Sequence, residues 1–81
     1  MSYFVYIVKC SDESLYTGIT TDVTRRIQEH NTSGKGAKYT SLRRPVELVY
    51  SEASVDRSSA SKREYEIKKM TKAKKLELIN A

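Results

Sequence analysis

The sequence predicts an α+β fold in which a small three-stranded antiparallel sheet is flanked by helices. Three observations carry this prediction: three short runs rich in β-branched and aromatic residues, stretches with helical spacing of apolar residues, and a length of only 81 residues. A chain of this length is expected to fold as one unit, so residues 1–81 are interpreted as one domain. The expected element order is β-β-α-(α)-β-α-α, with the helices packed against the sheet.

The three predicted strands differ in how their apolar residues are arranged. Tyr3–Lys9, with the sequence YFVYIVK, has no polar alternation, which is typical of a central strand buried on both faces. Leu15–Thr20, LYTGIT, forms a second strand after the turn-forming residues SDES. Val46–Glu52, VELVYSE, forms the third strand. Its alternate apolar residues are expected on one face: Val46, Leu48 and Tyr50.

The first predicted helix follows the second strand. Either Thr21 or Asp22 can cap it, and Val23 and Ile27 lie four residues apart on its inner stripe. A loop containing two glycines comes next and is followed by a helical turn within residues 37–43, which Pro45 terminates.

Two more helices are predicted after the third strand. Asp56 or Ser58 begins a long helix that runs to about Met70. Thr71 then caps a short last helix, in which Leu76 and Ile79 are apolar.

The net charge is positive and unevenly distributed. Fifteen Lys and Arg face ten Asp and Glu, a formal net charge of +5. Residues 22–44 and residues 57–75 are both strongly basic. Such clusters attract polyanions, of which nucleic acid is the commonest in a cell. A solvated helix face explains the second cluster equally well, whereas the first lies among tyrosine, histidine and glycine.

The cysteine count and the hydropathy of the N-terminal run indicate the cellular compartment in which the protein is expected. Cys10 is the single cysteine, which excludes an internal disulfide and suits a reducing compartment, so we expect a cytoplasmic protein. The apolar N-terminal run MSYFVYIVKC is too short to span a membrane and lacks the basic start of a signal peptide. No membrane partner is therefore expected.

Two tyrosines lie ten residues apart across the predicted hairpin. A loop over residues 10–14 would pair Tyr6 with Gly18 and Val8 with Tyr16. The two tyrosines would then be diagonal neighbours on one sheet face, roughly 7–8 Å apart at the backbone. A phosphate fits between two phenols at that separation, and the absent side chain of Gly18 would leave room for a ligand. An ordinary aromatic cross-strand pair is the alternative.

Three polar residues of the predicted helices could complete a site beside these tyrosines. Arg26 and His30 are one turn apart and share a helix face at the rim of the sheet. Glu64 falls between Ala60 and Ile67 on the inner face of the long helix. A carboxylate in that position is costly unless it is paired or binds a metal. Glu64 is therefore either the salt-bridge partner of an arginine or a metal ligand.

Three segments together resemble the GIY-YIG nuclease domain, and especially its small single-domain members: FVYIVKC, SLYTGITTDVTRRIQEHN and SASKREYEIKK. Tyr6 matches the tyrosine that ends the first family signature. Tyr16, Thr17 and Gly18 match the second signature, with threonine at its central aliphatic position. The first signature lacks its usual glycine here, and Asn80 is the only late asparagine available to match one found in some members.

The resemblance extends to the helices. Arg26 matches the family arginine, His30 matches a histidine found in many members, and Glu64 matches the metal-binding glutamate. The resemblance thus implies five catalytic residues: Tyr6, Tyr16, Arg26, His30 and Glu64.

The implied function is metal-dependent hydrolysis of phosphodiester bonds by a DNA endonuclease, structure-specific in repair or recombination. One Mg²⁺ or Mn²⁺ ion would be held by Glu64. Arg26 would stabilise charge on the phosphorane, and Tyr6 would act as base or orient the water, with its pKa lowered by Arg26, His30 and the metal. DNA is the expected nucleic acid rather than RNA, and a protein partner could supply target specificity.

The basic loop is expected to hold the nucleic-acid backbone, and Tyr39 to stack on an unpaired base. The expected nucleic-acid-binding residues are Lys35, Lys38, Tyr39, Arg43 and Arg44. Two other interpretations stay open: a nucleic-acid-binding module without catalysis or a subunit of a larger nuclease, and a structural domain whose tyrosines only fill the core.

Overall fold

The computed structural model describes residues 2–32 and 38–81. Its elements in chain order are β1 (Tyr3–Lys9), β2 (Leu15–Thr20), α1 (Val23–Thr32), α2 (Lys38–Ser41), β3 (Glu47–Ser54), α3 (Arg57–Lys68) and α4 (Lys72–Asn80). The predicted α+β class, the antiparallel sheet and the order of elements are confirmed.

The sheet has the strand order β2-β1-β3, so β1 is the central strand. Both neighbours pair with it antiparallel. Four consecutive residues of β1 are at most 1% exposed: Val5, Tyr6, Ile7 and Val8. This burial on both faces explains why the sequence of β1 shows no polar alternation.

The β1–β2 hairpin has the predicted register. Tyr6 lies opposite Gly18, and Val8 lies opposite Tyr16. The loop is closed by a hydrogen bond from the amide of Cys10 to the carbonyl of Ser14, 2.8 Å long. Tyr6 and Tyr16 consequently point to the same side of the sheet, as the loop length predicts.

Strand β3 departs from simple alternation. Its pairing with β1 shifts between Ile7 and Val8, because Ile7 lies opposite Tyr50 and Val8 lies opposite Leu48. The prediction that Val46, Leu48 and Tyr50 share a face is therefore wrong. The extra residue of a β-bulge reverses the alternation of the side chains along the strand.

The two sides of the sheet carry different clusters. The side packed against α1, here the α1 face, contains Tyr6, Val8, Cys10 and Val46, with Ile27 of α1 against them. The opposite side, here the α3 face, contains Val5 and Ile7 packed against Ala60 and Ile67 of α3. Residues of α4 extend this second cluster, among them Leu78 and Ile79.

Side-chain caps begin the three longer helices. Asp22 Oδ1 accepts a hydrogen bond from the Arg25 amide at 3.0 Å, Asp56 Oδ1 from Ser59 at 2.7 Å, and Thr71 Oγ1 from Lys74 at 3.2 Å. These bonds satisfy amides that have no partner within the helix. Of the predicted alternatives, Asp22 and Asp56 make the caps. In the described part of the chain, no helix combines the length and apolarity needed to cross a membrane.

Candidate active site

The Tyr6 side chain lies across the backbone of Gly18. A Cβ atom placed on Gly18 would be 2.6 Å from the Tyr6 hydroxyl oxygen and 2.8 Å from Cζ, closer than such atoms approach. The sequence interpretation left this space for a ligand, but the tyrosine itself fills it. Glycine is therefore needed at position 18 because any side chain would displace the hydroxyl of Tyr6.

The hydroxyl of Tyr6 is hydrogen-bonded to His30 of α1. The distance between Tyr6 Oη and His30 Nε2 is 2.7 Å, and the ring centroids are 5.8 Å apart. His30 is fully buried, at 0% exposure, rather than lying at the rim of the sheet as the sequence suggested. The last turn of α1 packs its histidine inward against the sheet, which the spacing of Val23 and Ile27 alone does not reveal.

Arg26 reaches the same hydroxyl from the preceding turn of α1. Its guanidinium group is close enough to Tyr6 to oppose the rise in the pKa of the phenol, and it pairs with Glu29, with Nη1 to Oε1 at 3.1 Å. The Arg26 side chain is 25% exposed, so it lies at the boundary between the buried pair and solvent. The placement of Arg26 and His30 one turn apart lets both contact Tyr6.

Tyr16 lies beside this group on β2. Its ring makes an edge contact with His30, with centroids 5.5 Å apart and planes at 68°. It also stacks on Tyr39 of α2, with centroids 5.8 Å apart and planes at 23°. Tyr16 is thus held between a helix end and a separate short helix, and it remains half-buried.

Burial sets the protonation states of the central pair. It raises the pKa of Tyr6 above its usual value, and the hydrogen bond and charge of Arg26 oppose this only in part. Burial also lowers the pKa of His30, and the charge of Arg26 lowers it further. Both groups are therefore neutral near pH 7. Arg26 lowers the pKa of Tyr6, as expected from the sequence, but desolvation by burial is the larger effect.

Glu64 of α3 completes the group from the other layer. Its negative charge contributes to the raised pKa of Tyr6, so the carboxylate lies within electrostatic range of the phenol. Its side chain is 23% exposed, and Oε2 is 3.3 Å from Nζ of Lys68 on the next helical turn. Sequence reasoning considered an arginine or a metal as the partner of this carboxylate. The structure instead pairs it with a lysine that is itself half exposed.

The residues expected to bind nucleic acid differ in their exposure and in their contacts within the protein. Lys38 and Tyr39 are exposed. Arg43 is committed to local contacts: Nε is 3.0 Å from Asp12 Oδ2, Nη1 donates to the Tyr39 carbonyl, and the guanidinium lies 3.9 Å from the Tyr39 ring centroid. Arg44 donates from Nε to the carbonyl of His30 at 2.6 Å. Lys35 lies outside the described residues.

Comparisons with known proteins identify the family. A family model described as the GIY-YIG catalytic domain matches residues 2–77. The chain belongs to the GIY-YIG family. The UPF0213 protein DP2720 of Desulfotalea psychrophila is 60% identical over 80 residues, which cover 99% of this chain and 73% of that protein. A UPF0213 protein of Staphylococcus aureus strain Mu3 is 63% identical over 78 residues, covering 96% of this chain and 94% of the relative.

Two solved structures of relatives have the same fold. The solution NMR structure of the UPF0213 protein BH0048 from Bacillus halodurans aligns with a TM-score of 0.63 at 49% identity, covering 99% of this chain and 84% of that one. The solution NMR structure of protein EF2693 from E. faecalis aligns with a TM-score of 0.64 at 46% identity, covering 96% and 83%. The GIY-YIG family assignment therefore rests on sequence and on fold together.

The candidate site residues differ in their exposure. Tyr16, Arg26 and Glu64 are the accessible members of the group, whereas Tyr6 and His30 are buried. Residues 2–32 and 38–81 enclose no pocket. Membership in the GIY-YIG family indicates an interaction with nucleic acid.

The donor set allows one weakly held divalent cation. The described residues contain no group of three or more His, Cys, Asp and Glu side chains able to hold a metal. A cation at Glu64 would have a single protein carboxylate and would complete its shell with water and phosphate oxygens, which is the usual arrangement for Mg²⁺. The half-buried carboxylate fits this role if the exposed Lys68 moves aside.

Sequence reasoning missed two residues that contact the site. Thr40 is fully buried, and its Oγ1 is 2.7 Å from His30 Nδ1. Glu29 holds the guanidinium of Arg26. Thr40 belongs to a helix of four residues and has no periodic pattern around it, so its sequence offers no signal. Glu29 could have been found, because it lies three residues after Arg26 on the same helix.

Proposed function

We propose that this GIY-YIG protein is an endonuclease that hydrolyses phosphodiester bonds in DNA with one Mg²⁺ or Mn²⁺ ion at Glu64. The supporting observation is the convergence of Tyr6, Tyr16, Arg26 and His30 on one sheet face, with Glu64 in electrostatic range. We extend the proposal to structure-specific cleavage in repair or recombination, which the resemblance to the GIY-YIG nuclease domain implies.

Arg26 would supply fixed positive charge for the reaction. Phosphodiester hydrolysis builds negative charge on the phosphorane oxygens, and a guanidinium group stays protonated and donates in a planar fork. The guanidinium of Arg26 interacts with Tyr6, the residue that in this proposal accepts the proton of the attacking water. Arg26 would exchange part of its ion pair with Glu29 for the incoming phosphate, so Glu29 moderates the positive charge of Arg26.

Tyr6 and His30 would act as a pair in proton transfer. The neutral phenol cannot accept a proton from water unless it loses its own, and the group positioned to take that proton is His30 at 2.7 Å. The Tyr6 oxygen would accept the proton of water while the phenol proton passes to Nε2 of His30. The resulting imidazolium is disfavoured by burial and by Arg26. The negative charge of a bound phosphodiester would offset that penalty, so transfer is coupled to substrate binding.

Glu64 and Tyr16 would position the other participants. When bound, the cation would neutralise phosphate charge and polarise the phosphoryl oxygen. Glu64 would hold it after exchange of the Lys68 ion pair. Tyr16 would donate its hydroxyl to a phosphate oxygen, since its ring is fixed by contacts with His30 and Tyr39.

The test is Mg²⁺-dependent cleavage of a panel of branched, nicked and linear DNA, with matched RNA, by the wild type and two α3 variants. Glu64→Gln removes the proposed ligand charge. Glu66→Gln makes the same change at an exposed carboxylate on the same helix. We expect Glu64→Gln to slow cleavage by at least about 100-fold, the effect of losing several kcal/mol of charge stabilisation. Glu66→Gln should cleave like the wild type.

Two outcomes would contradict the proposal. Cleavage that survives Glu64→Gln unchanged would indicate a contaminating nuclease. Binding of DNA without cleavage by the wild type would favour the second candidate, a binding module without catalysis. That candidate is supported by one observation: both Arg26 and Glu64 already have ion-pair partners, Glu29 and Lys68.

A further inference from the structure

The short helix α2 brings a hydroxyl group to the far side of the histidine that contacts Tyr6. Tyr6 Oη, the two ring nitrogens of His30 and Thr40 Oγ1 form a chain, with both hydrogen bonds 2.7 Å long. His30 and Thr40 are 0% exposed and Tyr6 is 1% exposed. The chain therefore runs through the interior, where the direction of each hydrogen bond is set by the protein.

The Tyr6 hydroxyl decides that direction. It has one proton to donate, its hydrogen-bond partner among the described residues is Nε2 of His30, and the guanidinium of Arg26 is the other polar group that acts on it from α1. Arg26 has donors only and cannot accept. The proton of the phenol must therefore point to Nε2 of His30, which must carry no proton of its own.

The tautomer of His30 follows from this. A neutral imidazole carries one proton, and with Nε2 unprotonated that proton is on Nδ1. Nδ1 then donates to Thr40 Oγ1. Which ring nitrogen is protonated in a histidine is set by the hydrogen bond that the other nitrogen makes.

We propose that Thr40 is a positioning residue that holds His30 as the Nδ1-protonated tautomer and so keeps Nε2 open to the proton of Tyr6. The effect on cleavage rests on the proposed function, whereas the tautomer itself does not. Removing the hydroxyl at position 40 takes away the acceptor that lies 2.7 Å from Nδ1, and the loss of this buried hydrogen bond disfavours a proton on Nδ1. The proton would then favour Nε2, which would donate to Tyr6 and block the transfer that the reaction needs.

Two substitutions separate the hydroxyl of Thr40 from its bulk. Thr40→Val keeps the shape of the side chain and removes the acceptor, whereas Thr40→Ser keeps the acceptor and removes a methyl group. The readout is the ¹⁵N spectrum of the imidazole nitrogens at neutral pH without metal or DNA. His30 is the only histidine of the chain, so the signals need no assignment.

We expect a protonated Nδ1 and an unprotonated Nε2 in the wild type and in Thr40→Ser, and a shift toward protonated Nε2 in Thr40→Val. A wild-type spectrum with the proton on Nε2 would overturn the proposal by itself, even if a variant failed to fold. A folded Thr40→Val that keeps the wild-type tautomer would overturn it as well.

Single-turnover cleavage of DNA by the same variants tests the effect of Thr40 on the proposed reaction. Thr40→Val should reduce the cleavage rate by about 10- to 100-fold, the range for removing a group that orients a functional histidine, with little change in DNA affinity. Thr40→Ser should restore most of the rate. Equal losses in both variants would point to packing and contradict the positioning role. If the wild type cleaves no DNA, the proposed function fails, but the spectra still decide the tautomer.

Discussion

The two faces of the sheet bury different chemistry. The α3 face is built from aliphatic side chains, with Val5 and Ile7 of β1 against Ala60 and Ile67 of α3. The α1 face buries a hydroxyl, an imidazole and a second hydroxyl in one hydrogen-bonded chain. Buried polar groups cost free energy unless they are paired, and apolar groups do not. Strand β1 therefore contributes to both faces: its aliphatic residues pack on the α3 face, and on the α1 face it carries Tyr6, for which we propose a catalytic role.

Each face of the sheet has one exception to this division. The α3 face contains Thr17, whose Oγ1 is buried and has no hydrogen-bond partner in the described structure. On the α1 face, the charge of Glu64 acts on Tyr6, although Glu64 comes from α3. Substitutions at particular positions can therefore test whether the α3 face stabilises the fold and whether the α1 face carries the proposed chemistry.

The largest effect on stability is expected on the α3 face. Ile67→Ala should lower the free energy of unfolding by about 2–5 kcal/mol, because Ile67 is fully buried and the deletion leaves a cavity. Denaturant unfolding measures this change. The milder Ile67→Val should cost about 0.5–1.5 kcal/mol and leave the cleavage rate of the folded protein unchanged. A large loss of rate in Ile67→Val would show that the α3 face also shapes the site.

Asn31 should give the next largest effect, because it ties the end of α1 to the start of β3. Its Oδ1 accepts from the Val46 amide at 2.7 Å, and its Nδ2 donates to the Val46 carbonyl at 3.1 Å. Asn31→Ala should lower the free energy of unfolding by about 2–3 kcal/mol, since both backbone groups lose their partner. Thr32→Ala at the exposed neighbour is the control and should cost less. Equal losses of stability in Asn31→Ala and Thr32→Ala would mean that the hydrogen bonds between Asn31 and Val46 do not stabilise the α1 face.

The hairpin register and the helix caps follow from sequence because they are local. An odd loop length pairs Tyr6 with Gly18, and a capping side chain acts within three residues of its own position. The β-bulge in β3 could not be predicted in this way. It depends on how β3 fits against β1, and the alternation of apolar residues from Val46 gives no sign of it.

The candidate site is likewise predictable from the sequence only in part. Tyr6, Tyr16, Arg26, His30 and Glu64 can be selected from spacing and family resemblance. The burial of His30 and its contact with Thr40 cannot, because they depend on α2 packing against α1. The raised pKa of Tyr6 is missed for the same reason, since desolvation depends on the assembled core.

The buried imidazole should make stability depend on pH. The pKa of His30 is lowered in the folded state, so below about pH 6.5 the unfolded chain binds a proton that the folded protein does not. The free energy of unfolding should therefore fall as pH decreases from 6.5 toward the folded pKa, by up to about 1.4 kcal/mol per pH unit. Denaturant melts between pH 6.5 and 5.5 measure the slope. His30→Gln should remove it, and a wild type with equal stability across this range would contradict the neutral buried histidine.

The smallest effect on stability is expected at Thr17, whose hydroxyl is buried on the α3 face. Thr17→Val should raise the free energy of unfolding by about 1 kcal/mol, because it replaces a buried, unpaired hydroxyl by a methyl group of similar size. Thr20→Val is the control on the same strand, since Thr20 Oγ1 accepts from the Asp22 amide at 3.1 Å. Thr20→Val should not stabilise the protein. A destabilised Thr17→Val would show that the hydroxyl has a partner, such as a bound water.

The division of the two faces is tested most directly by Tyr6→Phe, measured for both cleavage and stability. The change removes one oxygen from the α1 face and keeps the ring over Gly18. Single-turnover cleavage with Mg²⁺ should slow by at least about 100-fold, because the proton path to His30 is lost. The free energy of unfolding should fall by only about 1–3 kcal/mol, the cost of losing the hydrogen bond between Tyr6 Oη and His30 Nε2. A folded Tyr6→Phe that cleaves DNA within a few fold of the wild-type rate would contradict the assignment of the α1 face to catalysis.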